Sequence, residues 1–118
     1  MRLTRPFRIL AMPMPMPKPI RIRARVQNGI ADVMILMPHP METGLRQDES
    51  GNTKPAHFIT RMKVTVAERT VFSARMSFAV AQDPLLNFRF SGARAGERIR
   101  VAWTDNLGEA RVDEALIS

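Results

Sequence analysis

Four side chains able to ligate a metal or move a proton fall in one stretch of the chain: His39, Glu42, Asp48 and His57. Such a set could hold zinc or act as an acid and base. Their spacing, however, matches no zinc-ligand pattern, and histidines flanking a loop ordinarily bond backbone groups or face solvent. Cysteine is absent, which removes disulfides, thiolate metal sites and any chemistry that needs a sulfur nucleophile. No serine sits in a nucleophile-elbow pattern, and no glycine cluster has the spacing of a phosphate cradle. The expectation is a chain that is not an enzyme and binds neither metal nor cofactor.

Strands must position these residues, because the body alternates with a period of two. In IRIRARV, Ile20, Ile22, Ala24 and Val26 face one way while Arg21, Arg23 and Arg25 face water. Asn28-Gly29 then accepts positive φ at both centres of a tight hairpin and leads into IADVMILM. Pro38 and Pro40 end that pairing. A long loop follows as far as Pro55, rich in turn residues such as Gly44, Asp48 and Gly51.

The third strand reads FITRMKVTV, with Phe58, Met62, Val64 and Val66 on one side. The fourth, TVFSARMSF, points Phe72, Ala74, Met76 and Phe78 inward. After Asp83-Pro84 come LLNFRFS, then ERIRVAWT with Ile99, Val101 and Trp103 inward, then a turn at residues 105–108 and EARVDEALI. Seven short strands with turn signals between them, and no long helical pattern, predict an all-β, two-sheet antiparallel sandwich. At 118 residues the chain suits one domain.

A net charge of +7 invites a nucleic-acid reading. Seven of the 18 basic residues lie within residues 1–25, which hold no acid, so from Val26 onward basic and acidic residues balance at 11 each. Tyrosine is absent and the one tryptophan, Trp103, falls on an apolar strand face, whereas stacking platforms need exposed aromatics. No nucleic-acid partner is expected. No apolar run reaches the roughly 20 residues of a membrane-spanning helix. Residues 1–19, MRLTRPFRILAMPMPMPKP, carry five prolines and predict an extended, disordered basic tail rather than a signal peptide. Its Met-Pro alternation reads as low complexity rather than a copper site. Met16 is a candidate start, leaving residues 1–15 as an extension and 20–118 as the domain.

Residues 39–59, HPMETGLRQDESGNTKPAHFI, resemble the signature of SoxZ, the smaller subunit of the SoxYZ carrier of bacterial thiosulfate oxidation. A second block, NFRFSGARAGERIRVAWTDNLGEARVDEALI from Asn87, is similar to the family's C-terminal half. One departure is Asp83-Pro84-Leu85, where the family pattern is Asn-Pro-Tyr. The resemblance implies an immunoglobulin-like fold and a heterodimer with a SoxY-like subunit whose C-terminal cysteine carries sulfur intermediates. It also implies transient docking with other Sox enzymes, and a periplasmic location reached by co-export with a signal-bearing partner. The 38–58 loop, long and mixed in charge, is the expected recognition surface, with His39, Met41, Glu42, Arg46, Asp48, His57 and Phe58 as docking residues. Its alternative is a self-packed corner in which Glu42 and Arg46 satisfy each other. Two other classes stay open: an autonomous immunoglobulin-like recognition or adhesion module, and a small enzyme using His39, Glu42 and His57.

Overall fold

Alternation of apolar and polar side chains produces the strands, and turn chemistry sets where each ends. A computed structural model describes residues 16–118, and the part of the expected tail over residues 1–15 lies outside the described residues. Seven strands follow in order: β1 (Arg21–Gln27), β2 (Ile30–Leu36), β3 (Ile59–Val66), β4 (Arg69–Arg75), β5 (Leu85–Ser91), β6 (Arg98–Asp105) and β7 (Ala110–Leu116). They form two antiparallel sheets, β1-β2-β5 and β4-β3-β6-β7, the expected immunoglobulin-like sandwich.

Inward side chains from both sheets make a single core in which Val33, Ile35, Ile59, Val64, Ile99 and Val101 are fully buried and Trp103 nearly so. Burying a side chain of this size contributes roughly 1.5–3 kcal/mol, so this core outweighs any surface ion pair. The sandwich is also closed at both sides. Phe72 of β4 stacks on Phe88 of β5 at 4.7 Å, and Arg69 of β4 lies over Phe90 and donates to the carbonyls of Ser91 and Gly92. On the opposite side the backbone of Ser118 donates to Ala24 and accepts from Val26 of β1, carrying the chain past β7 onto the other sheet.

The chain just before β1 is anchored. Asp113 of β7 accepts from the backbone N–H of Ile20 at 2.8 Å, and Arg111, paired with the same carboxylate, donates to the carbonyl of Pro17.

Two inward assignments change. Pairing of β3 with β6 slips between Ile59 and Arg61, and this bulge turns Ile59 fully into the core while Phe58 is only half-buried. Phe78 lies beyond the end of β4 and is 50% exposed, packed edge-on to Phe58.

The outward positions of both sheets are strongly basic. Outward positions of the four-stranded sheet hold Arg61, Lys63, Arg75, Arg98 and Arg100 against Glu114, and those of the three-stranded sheet hold Arg21, Arg23, Arg25 and Arg89 against Asp32. The acids sit mostly in loops and turns.

Two hairpins have two-residue turns with positive φ at both centres. Asn28-Gly29 (54° and 76°) has the residues that such a turn favours, whereas Ala67-Glu68 (49° and 65°) has not. Replacing Ala67-Glu68 by Asn-Gly relieves the left-handed strain and should stabilise the chain by about 1 kcal/mol. Thermal unfolding checks this, and an unchanged or lowered midpoint would refute it.

Candidate functional site

The long segment between β2 and β3 is an arm folded on itself. Glu42 and His57 exchange both backbone hydrogen bonds, Lys54 donates to the Arg46 carbonyl, and Asp48 donates to Asn52. Gly44 (φ +86°) permits the close approach of the two sides, since a Cβ there would lie 3.1 Å from that of Ala56. At the tip, the Asp48 carboxylate accepts from the N–H groups of Ser50 and Asn52. This is the capping that makes Asp a turn residue. Asp48 thus has a local structural task.

Where the arm meets the sandwich, His39 and His57 converge on a third residue, Asp105. The Nε2 atoms of His39 and His57 lie 3.0 and 2.9 Å from Asp105 Oδ2, and His57 Nε2 is also 2.8 Å from Glu109 Oε1. The histidine rings meet edge-on at 4.6 Å, and His39 packs edge-on against Trp103 at 5.0 Å. The other Asp105 oxygen accepts from the N–H groups of Leu107 and Glu109, closing the β6–β7 turn. Asn106 extends the join: its side chain accepts from Phe58 N–H and donates to the Ala56 carbonyl. On the other side of His39, its N–H donates to Asp83 Oδ1 and its carbonyl accepts from Asp83 N–H. Asp83 has a φ of +53°, which Asp and Asn both tolerate, and either would supply the acceptor that His39 N–H uses.

His39, His57, Asp105 and Glu109 bring their ligand atoms within 4.8 Å of one another, a composition that holds zinc or iron elsewhere. The contacts are hydrogen-bond distances, and one of them fixes a tautomer. Met41 N–H donates to His39 Nδ1 at 3.1 Å, so the hydrogen-bond pattern assigns the ring proton to Nε2, where it donates to Asp105. That nitrogen then has no lone pair to offer an ion. The group is a polar clasp built around one buried carboxylate.

Burial works against the charge on Asp105, but hydrogen bonds from His39, the Glu109 backbone and His57 outweigh it and hold the carboxyl below its ordinary 3.8. Glu42 is held low as well, chiefly by a bidentate pair with Arg46 at 2.9 and 3.0 Å; Lys54 lies 3.8 Å away.

The expected docking residues are therefore divided. His39 and Met41 are buried and present no surface: the first serves the clasp, and the second accepts from Ile59 N–H through its sulfur at 3.3 Å. Glu42 and Arg46 pair with each other. His57 and Phe58 are half-buried and Asp48 is exposed. The carboxylates of Glu42 and Asp48 make no hydrogen bond with the histidine rings. Asp105 and Glu109 are not among the expected site residues, although Ile99, Val101, Trp103 and Asp105 share the inward phase of β6, and an acid in that phase signals a buried partner.

Comparison with known proteins now decides the family. The model of the family described as sulphur oxidation protein SoxZ matches residues 20–115. The chain belongs to the SoxZ family. This covers nearly the whole sandwich, including the arm and the turn that clasps it. Among curated proteins no match reaches significance. Among solved structures, superoxide reductase (neelaredoxin) from Archaeoglobus fulgidus shares the fold. A reduced variant of it aligns with a TM-score of 0.56 and 20% identity over 87% of each chain. A second reduced variant aligns with a TM-score of 0.57 and 16% identity, over 87% of this chain and 91% of that one. The likeness is one of architecture.

Removing the clasp's centre by Asp105→Ala strands two imidazole donors and two backbone N–H groups and should cost about 3 kcal/mol. A carboxyl held low in the fold contributes its stability fully above the unfolded value near 3.8 and loses it as pH falls through the folded value. Asp105→Asn should therefore flatten the acid limb of stability against pH. Denaturant unfolding across the acid range measures both, and identical acid limbs would refute the role given to Asp105.

Proposed function

We propose that this SoxZ-family chain is the non-catalytic subunit of a sulfur-compound carrier. It would bind and support a SoxY-like subunit whose C-terminal cysteine holds the intermediates of thiosulfate oxidation. The family match over residues 20–115 carries this reading, and the chain's own chemistry agrees with it. A covalently carried persulfide or thiosulfonate needs a thiol, and the sequence has no cysteine. Its sulfur atoms are methionine thioethers, which oxidise but form no disulfide-type linkage. The polar groups that sequence reading offered as catalysts are engaged with one another: the histidines with Asp105, and Glu42 with Arg46. Such groups brace a scaffold.

What remains for the chain is a surface. It would complete the heterodimer, offer part of the area on which Sox enzymes dock, and work in the periplasm after export already bound to its partner. The self-paired arm suits this work, since its shape is set before any partner arrives and little ordering entropy is lost on binding.

The test is intact-mass analysis of the complex purified from cells oxidising thiosulfate. Sulfur-containing additions should appear on the cysteine-tailed subunit and, methionine oxidation aside, not on this chain. Omitting this chain from a reconstituted reaction should weaken loading of the partner. A sulfur adduct mapped to this chain, or loading unchanged without it, would overturn the proposal.

A further inference from the structure

The two outer faces of the sandwich are both rich in cations, yet they are laid out in opposite ways. On the four-stranded sheet the central strands β3 and β6 carry the charges Arg61, Lys63, Arg98 and Arg100, while the exposed apolar residues Val112 and Leu116 lie on the edge strand β7. On the three-stranded sheet the order is reversed. Its central strand β2 exposes Ile30 and Met34, 49% and 42% accessible, and Leu85 on β5, 59% accessible, sits in register beside Leu36. The cations lie to either side, with Arg21, Arg23 and Arg25 along β1 and Arg89 on β5.

A protein interface that holds has an apolar centre depleted of charge and a polar rim in which arginine is favoured. The three-stranded face comes nearer to that arrangement, with exposed apolar side chains on its central strand and one acid, Asp32, between them. An open hollow of about 1080 Å³ lies on it, bordered by Arg23, Arg25, Ile30, Asp32, Met34 and Arg89, and the four-stranded face has a smaller one of about 640 Å³. The single acid on the face, Asp32, lies opposite Arg25 and Arg89 in the ladder, with Arg89 at 3.7 Å. Arg21 and Arg23 have no ion-pair partner among the described residues. Three arginines at every second residue of one strand stand only about 6–7 Å apart, and their mutual repulsion is relieved by a partner that brings carboxylates.

We infer that the outer face of β1-β2-β5 is the surface that receives the SoxY-like subunit, which should present an apolar patch ringed by acidic side chains. This rests on the carrier reading above and adds to it where the partner sits and what chemistry its surface must have. The arm and its clasp lie outside this face, so the chain would hold its partner on one face and keep the arm free for other encounters.

The experiment measures binding of the separately purified SoxY-like subunit to the full chain by calorimetry, with three single variants at exposed sites. Met34→Glu places a charge at the apolar centre and should weaken binding about 100-fold, as loss of a central contact does. Arg23→Glu should weaken it about tenfold at low salt, and the difference should shrink near 1 M salt, where screening acts over about 3 Å. Lys63→Glu, on the four-stranded face, should leave binding within about twofold. Circular dichroism and the unfolding midpoint of each variant show that the fold is intact. Unchanged binding by Met34→Glu and Arg23→Glu, or loss of binding by Lys63→Glu alone, would overturn the assignment of this face while leaving the carrier reading standing. No complex with the unaltered chain would instead sink the carrier reading, and this inference with it.

Discussion

A buried carboxylate must be fully paired or it destabilises the fold that encloses it, and around Asp105 that requirement organises one end of the molecule. Its two oxygens accept four hydrogen bonds: two from imidazoles at either end of the arm, and two from backbone N–H groups of the turn that follows β6. The arm's course from His39 to His57 is thus fixed by one acid on a core strand. Met41 and Asp83 complete the arrangement by setting the tautomer and position of His39. Elsewhere apolar burial holds the sandwich together, but apolar contacts are non-directional and would not by themselves place a segment of this length.

Much of the sandwich was legible because the strands obey the two-residue period. Arg21, Arg23 and Arg25 face water and Ile99, Val101 and Trp103 face the core as their alternation requires, and Asn28-Gly29 turns the first hairpin. The failures have local causes. A bulge between Ile59 and Arg61 breaks the period, so counting back from Met62 puts Phe58 where Ile59 belongs. Phe78 continues the apolar rhythm of β4 past its last paired residue, and rhythm alone cannot report where hydrogen bonding stops.

The clasp was half legible. The histidines were noticed for their chemistry, while the acid that joins them was read as part of a turn, because Asp105-Asn106-Leu107-Gly108 is also good turn sequence. Asp105 does both: one oxygen caps the turn and the other enters the core side of β6. Charge was a different case. The balance of acids and bases from Val26 onward says nothing of where each points, and strand alternation sends most of the bases to the sheet faces while the turns retain most of the acids.

The arm is tied to the body by polar side chains, by the backbone of His39 and by one core side chain, Met41, whereas the strands are tied by ladders and a shared apolar core. These two kinds of attachment need not melt together. The amides near the tip of the segment from residue 38 to 57 should then exchange with solvent sooner than those of β3 and β6. Its tip, residues 48–52, is held only by local bonds of Asp48. That tip touches no core residue, so a change in its length or charge would leave the packing of the two sheets as it is.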